Sequence, residues 1–186
     1  MLLPHNESVY EQLENRMREN GRCCVVMGTG VGKSYVTLEY ITNHNLFDKT
    51  LIVSPRNSIN ASWKKLVGDK VTTITYQKLA NMYDDKSFDW DAFSLIICDE
   101  VHHVGAHTWA KPIKYLINNK KKNVIGLTEN PVRFGDGRRD VSLEFFDGSV
   151  AVGEDVLNAI SKGILNPVTL LEQCITQKAS ETRLGA

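Results

Sequence analysis

A glycine-rich segment that ends in Gly-Lys-Ser, residues 28–34, follows the apolar run Cys23–Met27 and precedes a segment with helical spacing. A phosphate-binding loop requires this strand–loop–helix setting, although its usual pattern has glycine at the position of Met27. The glycines let backbone N–H groups surround a phosphate chain, and the following helix adds partial positive charge. In such a loop Lys33 contacts the β- and γ-phosphates, and Ser34 places its hydroxyl on Mg²⁺. The predicted nucleotide-binding residues are Gly28, Thr29, Gly30, Val31, Gly32, Lys33 and Ser34.

Two adjacent carboxylates, Asp99 and Glu100, follow the apolar run Leu95–Cys98. The second element of a phosphate-loop site holds magnesium at such a place, so we predict that Asp99 and Ser34 share the Mg²⁺ ion. Neighbouring side chains at a strand end point in different directions, which leaves Glu100 to orient or deprotonate the attacking water. The predicted catalytic residues are therefore Glu100, Lys33 and Asp99. The alternative is a solvated Asp-Glu pair at the start of a loop.

Short apolar runs rich in β-branched residues alternate with segments of helical spacing. This alternation predicts an α/β fold of three layers, in which helices flank a mainly parallel central sheet. The predicted strands are Cys23–Met27, Thr50–Ser54, Val71–Thr75, Leu95–Cys98 and Val124–Thr128. The predicted helices are Lys33–His44, Ile59–Val67, Gln77–Tyr83, Thr108–Ile117 and, after a turn at Phe134–Arg139, one near Leu143 and one around Asp155–Lys162. Because ligands bind beyond the carboxyl ends of parallel strands, the polar segments that follow these strands should converge at one edge.

The composition limits the classes of protein that the chain can represent. Its 186 residues, 42% of them hydrophobic, suit one packed core. Lysine plus arginine and aspartate plus glutamate both number 22, so any nucleic-acid surface must be local. The four cysteines lack zinc-like spacing and have the pattern of small buried hydrophobic residues. With no export signal and no apolar run of membrane-spanning length, we expect a soluble protein in the reducing cytoplasm.

The glycine-rich and acidic motifs, GTGVGKS and DEVH, together resemble motifs I and II of superfamily 2 helicases and translocases of the DEAD/DEAH-box type. Further segments agree in order: Leu3–Asn6 resembles the upstream Pro-aromatic-Gln element, Ser54–Arg56 motif Ia, Thr75–Gln77 motif Ib and Gly126–Thr128 the start of motif III. Residues 133–148, RFGDGRRDVSLEFFDG, and residues 159–167, AISKGILNP, resemble the bacterial helicase group related to type III restriction subunits. The resemblance spans nearly the whole chain and implies the N-terminal RecA-like ATP-binding domain of a P-loop NTPase.

The same resemblance implies roles for residues outside the two central motifs. Asn6 stands at the position of the adenine-reading glutamine, although an asparagine there could instead cap the helix that follows. His102, in motif II, would link the nucleotide site to motif III, where Thr128 lies, and to a partner domain, and both residues would serve this coupling. The implied contacts with the sugar-phosphate backbone are Ser54, Pro55, Arg56, Thr75 and Tyr76, for which the alternative is a set of ordinary loop residues. The implied ligands are ATP, Mg²⁺ and a nucleic acid, and the family likeness favours DNA.

Two histidines and one glutamate also attract attention. His103 and His107 stand four residues apart, which would suit zinc on a helix, but no third ligand is evident and a loop is the expected setting. The family has Ser/Thr-Ala-Thr in motif III, whereas this chain has Glu129 and Asn130 after its threonine. Glu129 would bring a third carboxylate toward the acidic pair, where like charges raise a pKa. We therefore expect weakened coupling between ATP turnover and strand movement.

The predicted ATP-binding domain covers residues 1–170, and residues 171–186 are expected to be a disordered tail or the start of a second domain. Too few residues follow Pro167 for the second RecA-like domain that carries motifs IV to VI in the family. Two hypotheses follow. The first is a helicase-type ATPase that is weak or inactive as a single domain, and the second is a catalytically weak nucleotide-binding or regulatory protein with the same fold. Phosphate release compared with that of Glu100→Gln would distinguish them.

Overall fold

The computed structural model describes residues 2–105, 107–133 and 139–166. The predicted turn at Phe134–Arg139, apart from its last residue, and the predicted tail at residues 171–186 lie outside these ranges. Within them the chain forms a mainly parallel sheet with helices on both faces. The predicted α/β fold of three layers is confirmed, and the domain boundary at residue 170 stays a prediction.

Eight strands and seven α-helices make up the described part of the chain. The strands are β1 (Arg22–Val26), β2 (Thr50–Ser54), β3 (Thr72–Thr75), β4 (Leu95–Asp99), β5 (Asn123–Thr128), β6 (Val132–Arg133), β7 (Arg139–Asp140) and β8 (Val150–Val152). The helices are α1 (Pro4–Asn20), α2 (Lys33–Asn43), α3 (Asn57–Val67), α4 (Tyr76–Asp84), α5 (His107–Asn118), α6 (Val141–Phe146) and α7 (Val156–Ser161). Short 3-10 turns lie at Phe47–Lys49, Gly68–Lys70, Trp90–Ala92 and Val101–Gly105. The predicted strands and helices are all present, with small shifts of their ends.

The large sheet has the strand order β3-β2-β4-β5-β1-β8, and every neighbouring pair is parallel. The carboxyl ends of its strands meet at one edge, so the loop after β1 lies close to the loops after β4 and β5. The register places Val26 beside Thr128 of β5 and beside Val152 of β8. The edge strand β8 was not predicted, because a run as short as Val150–Val152 shows no clear period. Strands β6 and β7 form a separate antiparallel ribbon.

Buried side chains on the two faces of the sheet form two hydrophobic cores. One core joins the sheet to α1, α2, α3 and α7, and the other joins it to α4, α5 and α6. Strands β2 and β4 are buried along their entire lengths, as expected for parallel strands that are covered on both faces. Cys23, Cys24 and Cys98 are buried free thiols within these cores, so their prediction as small hydrophobic residues is confirmed. The fourth cysteine, Cys174, lies outside the described residues.

Helix α1 packs on one face of the sheet against β1 and β8 and contacts α2, and it begins at Pro4, before Asn6. Proline is favoured in a first turn because its missing N–H is not needed there. Since Asn6 lies inside the helix, its interpretation as an N-terminal cap was wrong. Asn6 instead begins the buried stripe of α1 that continues through Val9 and Leu13. This stripe brings the Asn6 side chain against the loop that follows β1.

Candidate nucleotide site

The loop between β1 and α2, residues 27–32, is fixed on two sides by backbone hydrogen bonds. The Met27 N–H donates to Thr128 O at 3.1 Å, and the Gly28 N–H donates to Glu154 O at 2.8 Å. The first bond attaches the loop to β5 and the second attaches it to the segment after β8. The position of the loop is therefore set by the strands on both sides of β1.

Two glycines of this loop are required by their surroundings. Gly32 has a φ of 119°, and a Cβ atom there would lie 2.3 Å from Asn6 Nδ2. A Cβ atom on Gly28 would lie 2.7 Å from Val156 N. Larger residues are excluded at both positions, because either the backbone conformation or the space forbids them. The loop thus offers bare backbone at the N-terminus of α2, where anions bind readily.

The Lys33 side chain folds back over the loop. Its ammonium donates to Met27 O at 2.9 Å and to Gly28 O at 3.2 Å, and the residue is only 9% exposed. Burial lowers the pKa of Lys33, and the negative charges of Glu100, Asp99 and Glu129 oppose that shift. Lys33 is therefore a buried cation in the electric field of three carboxylates.

Asp99 ends β4 and is oriented by two hydrogen bonds. Its Oδ2 accepts from the indole N–H of Trp63 at 2.7 Å, and its Oδ1 accepts from the Glu100 N–H at 2.9 Å. Burial raises the pKa of Asp99, whereas these bonds and the charge of Lys33 lower it. Trp63 of α3 is itself buried, so it fixes the direction of the Asp99 carboxylate from the side of the core.

A cavity of about 260 Å³ opens beside this carboxylate. Its lining includes Ser34 from the first turn of α2, Asp99 and Glu100 from the end of β4, and Trp63 from α3. The hydroxyl and the carboxylates supply oxygen atoms of the kind that Mg²⁺ prefers. The structure therefore brings together the residues that were predicted to bind the metal and the attacking water.

Glu100 has a left-handed backbone with a φ of 50°, which is uncommon for a residue other than glycine and often marks a functional site. Burial and the charge of Asp99 raise its pKa to about 7, with a further contribution from Glu129 and opposition from Lys33. The predicted repulsion by a third carboxylate is thus present. A pKa near neutrality suits a group that accepts a proton from water.

His102 connects the acidic pair to the end of β5. Its Nδ1 lies 3.0 Å from Thr128 Oγ1 and 3.4 Å from Glu100 Oε2. Thr128 is fully buried, and its hydroxyl donates to Asn130 O at 2.9 Å. The two residues that were predicted to couple motif II to motif III are therefore in direct contact.

A second cavity, of about 220 Å³, lies between α1 and the loop. Its lining consists of Leu2, Leu3, His5, Asn6, Gly30, Val31, Gly32, Tyr35 and Ile164. Asn6 is 1% exposed, and its Oδ1 has no hydrogen-bond partner. Buried polar atoms are normally paired, so this oxygen indicates a donor that a ligand would bring. Tyr35 is 60% exposed and offers an aromatic face at the same cavity.

Two of the side chains that were predicted to contact a nucleic acid are buried. The Ser54 hydroxyl donates to Asn60 Oδ1 at 2.8 Å, and the Tyr76 hydroxyl donates to Asp99 O at 2.9 Å. Neither residue is exposed to solvent. Their polar side-chain atoms are used inside the protein to stabilise the ends of β2 and β4, so a contact with a nucleic acid at Ser54 or Tyr76 would have to come from the backbone. The predicted contact stays a prediction.

The remaining three candidates lie at or near the surface. Arg56 is exposed at the N-terminus of α3, and Pro55 before it is half-buried. Thr75 is also half-buried, and its hydroxyl caps α4 by accepting from the Lys78 N–H at 3.2 Å. Of the two histidines, His103 lies in the 3-10 turn Val101–Gly105 and His107 begins α5, so they do not share one helix.

Sequence reasoning missed two residues at the site, Trp63 and Tyr35. Trp63 lies on the buried stripe of α3 together with Asn60 and Val67, and this spacing alone indicates packing. Its partner Asp99 is 36 residues further along the chain, so no local sequence pattern predicts the hydrogen bond between them. Tyr35 offered a signal, because it directly follows the Gly-Lys-Ser ending of the loop.

A parallel sheet with a glycine loop after one strand and an acidic pair after another defines a RecA-like P-loop domain, here with the helicase-type ATP-binding site of superfamily 2. The family model described as type III restriction enzyme, res subunit, matches residues 1–69 and 64–133 of the chain. The chain belongs to this family. None of the helices in the described ranges is both long and apolar enough to cross a membrane.

Solved helicase domains share the fold. The helicase domain of Hef from Pyrococcus furiosus superimposes with a TM-score of 0.60 at 17% identity, over 83% of this chain and 40% of that one. A protein from Sulfolobus tokodaii, named a hypothetical ATP-dependent RNA helicase, superimposes with a TM-score of 0.58 at 16% identity, over 79% of this chain and 52% of that one. At such identities the likeness shows the fold alone.

A curated relative is similar in sequence. L396 of Acanthamoeba polyphaga mimivirus, provisionally named an ATP-dependent RNA helicase, is 31% identical over 127 residues. The match covers 59% of this chain and 24% of L396. The chain thus spans about a quarter of the length of this relative and 40% to 52% of the two solved chains.

Proposed function

We propose that this chain is the ATP-hydrolysing domain of a helicase or translocase that acts on a nucleic acid, preferentially DNA. The observation that carries the proposal is the shared cavity of Ser34, Asp99 and Glu100, with the Lys33 ammonium in the field of both carboxylates. A metal-binding hydroxyl, two carboxylates and a cation beside a bare loop are the groups that phosphoryl transfer from ATP requires.

The residues at the site fit a magnesium-bound triphosphate. Gly28 and Gly32 let the loop pack closely against Val156 and Asn6, and a loop of bare backbone is what a cradle for phosphates demands. Ser34 and Asp99 would hold the Mg²⁺ ion, which when bound neutralises negative charge on the phosphates. Lys33 would exchange its bonds to the loop carbonyls for phosphate oxygens, which are stronger partners because they are charged.

Glu100 would orient the attacking water and accept its proton. Burial and the charge of Asp99 raise the pKa of this carboxyl group to about 7, toward the range that suits a proton acceptor at neutral pH. His102 lies between Glu100 and Thr128. A change in the charge of Glu100 would therefore alter the contact between His102 and Thr128 at the end of β5. This chain of contacts would couple hydrolysis to the motif III segment.

Asn6 and Tyr35 would bind the adenine base. The unpaired Asn6 Oδ1 is an acceptor that matches the amino group of adenine. The exposed ring of Tyr35 would stack on the base from the lip of the cavity.

The nucleic acid would bind beyond the ends of β2 and β3, where Pro55, Arg56 and Thr75 lie. Arg56 stands at the N-terminus of α3, a place where both its charge and the helix favour a phosphate. Contacts of this kind position a strand without reading its sequence, as a motor domain requires. The preference for DNA rests on the family likeness, whereas two similar proteins have names that specify RNA.

Full activity would require a second RecA-like domain at the same site. Arginines that stabilise the charge of the transferred phosphoryl group come from a separate domain in this class of enzyme and raise the rate by several powers of ten. We therefore expect slow ATP turnover by this chain on its own and no strand separation, since separation needs two domains that change their relation.

Phosphate release tests the proposal. It would be measured for the chain alone, with single-stranded DNA and with single-stranded RNA. Glu100→Gln should lower release by at least about a hundredfold, because the group that accepts the proton is lost. Glu11→Gln, an exposed glutamate of α1, is the matched control and should change nothing. If the unchanged chain and Glu100→Gln released phosphate at the same background rate, the proposal that this chain hydrolyses ATP would be contradicted.

A nucleotide-binding or regulatory protein without hydrolysis is the second candidate. It is favoured by Glu129, which stands in the motif III segment and hydrogen-bonds to the loop residue Thr29. Such a protein would bind ADP, as measured by calorimetry, yet release no phosphate with or without a nucleic acid. Loss of ADP binding as well would contradict both candidates.

A further inference from the structure

Glu129 makes a contact that links the end of β5 directly to the nucleotide loop. Its Oε2 accepts a hydrogen bond from the Thr29 hydroxyl at 2.6 Å, between residues that lie 100 positions apart in the chain. A hydrogen bond to an ionised carboxylate is among the stronger kinds in proteins. The hydroxyl of a residue in the nucleotide loop is therefore occupied by an acidic side chain.

The charge of Glu129 acts on the groups at the far end of the loop. It raises the pKa of Lys33, and it adds to the increase in the pKa of Glu100. These are the two residues that the proposed function places beside the terminal phosphate and the attacking water. Glu129 also directly follows Thr128, whose hydroxyl lies 3.0 Å from His102 Nδ1, and the same nitrogen lies 3.4 Å from Glu100 Oε2. The carboxylate of Glu129 is therefore on the side of the site where the proposed function places the attacking water and the terminal phosphate.

We propose that Glu129 is a specificity residue that makes this site prefer a nucleoside diphosphate over the corresponding triphosphate. A triphosphate adds negative charge where Glu129 already supplies it, and like charges at short range oppose binding. The triphosphate would also compete with Glu129 for the Thr29 hydroxyl, whereas a diphosphate leaves that hydrogen bond intact. This inference rests on the proposed nucleotide site.

In the described part of the chain, Glu129 is not part of a cluster of acidic, histidine or cysteine side chains that could hold a metal ion without a ligand. Within the described residues, which include Asp99, Glu100 and Glu129, no group of three acidic, histidine or cysteine side chains is arranged to hold one ion. Glu129 is exposed, so its charge is not needed for the packing of the core. Its hydrogen bond with Thr29 joins this exposed charge to the nucleotide loop.

The test compares the affinities of two ligands in the presence of Mg²⁺. Calorimetry would give the dissociation constants of ADP and of a hydrolysis-resistant ATP analogue for the unchanged chain, Glu129→Gln and the control Glu11→Gln. The glutamine keeps an acceptor for the Thr29 hydroxyl and removes only the charge. We expect Glu129→Gln to bind the ATP analogue about tenfold more tightly and ADP with less than about a twofold change. The control should change neither constant.

The gain should shrink at high salt, since screening weakens the repulsion between partly exposed charges. An unchanged ratio of the two constants, with ADP binding intact, would overturn this inference and leave the proposed function standing. Weaker binding of the ATP analogue by Glu129→Gln would also overturn it, because Glu129 would then assist the triphosphate. Failure of the unchanged chain to bind either nucleotide would overturn the proposed function and the inference together.

Discussion

The nucleotide loop after β1 and the surface after β2 and β3 both carry segments that resemble helicase motifs, but they differ in how the residues of those segments are placed. In the loop region, Lys33 and Ser34 lie beside the acidic pair at one end of the sheet. In the second region, Ser54 and Tyr76 are buried and serve the fold.

The difference reflects how strongly each chemistry constrains its residues. A phosphate cradle needs glycines, a lysine and a hydroxyl at fixed spacing, because the backbone itself forms the site. Contact with a sugar-phosphate backbone can be made by many kinds of exposed polar residue. The resemblance of a short segment to such a motif therefore does not identify which of its side chains reach the surface. A match to the first kind of motif therefore locates functional side chains better than a match to the second.

The largest expected effect belongs to the loop region. Lys33→Ala should weaken the binding of ADP and of an ATP analogue by about a hundredfold, because it removes a buried charge-assisted contact with the phosphates. Calorimetry measures both constants, and thermal unfolding of the same variant checks that it remains folded. Lys111→Ala, an exposed lysine of α5, is the control. If folded Lys33→Ala bound nucleotides with unchanged affinity, the loop after β1 would not be the region that binds them.

The next effect concerns Tyr76, whose hydroxyl donates a hydrogen bond to the backbone carbonyl of Asp99. Tyr76→Phe should lower the free energy of unfolding in urea by about 1–3 kcal/mol, because a buried carbonyl loses its partner. Tyr83→Phe removes a hydroxyl from a half-buried tyrosine of α4 and should cost less than about 0.5 kcal/mol. The affinity for single-stranded DNA should stay the same in both variants. A loss of that affinity in Tyr76→Phe without a loss of stability would break the comparison.

The smallest expected effect concerns the surface after β2 and β3, where it tests whether Arg56 contacts a nucleic acid. Arg56→Ala should weaken single-stranded DNA binding about threefold and reduce the slope of log affinity against log salt by about 0.7, as expected for one lost phosphate contact. The control is Lys65→Ala, which removes an exposed positive charge from the other end of α3. Fluorescence anisotropy of a labelled strand at several salt concentrations measures both quantities. Equal effects of the two variants would show that only general positive charge matters.

Much of the fold could be predicted, because its signals are local. The apolar run Leu95–Cys98 and the helical spacing after Lys33 each lie within one short segment, and both elements form where they were expected. The strand β8 escaped prediction because its three residues carry almost no periodic signal. The start of α1 was left open for a different reason, since both Pro4 and Asn6 are residue types that occur at the start of a helix.

The candidate site was only partly predictable for a different reason. The sequence alone indicates the chemistry of four residues through their types and spacing: Lys33, Ser34, Asp99 and Glu100. The hydrogen bond from Trp63 to Asp99 and the one from Thr29 to Glu129 join residues 36 and 100 positions apart. Sequence spacing carries no information about such pairs until the sheet order brings their strands together.

The sequence by itself determined the order of the strands and helices along the chain and the kind of chemistry at the loop after β1. These follow from residue types within a few positions of one another, through periodicity, glycine content and turn preference. Only the tertiary structure decided which polar side chains remain available to a ligand: Tyr76 and Ser54 became internal supports, and Asn6 kept an unpaired oxygen at a cavity. The physical reason is that burial and hydrogen bonding are satisfied by partners distant in the chain, which the packing of sheet and helices selects.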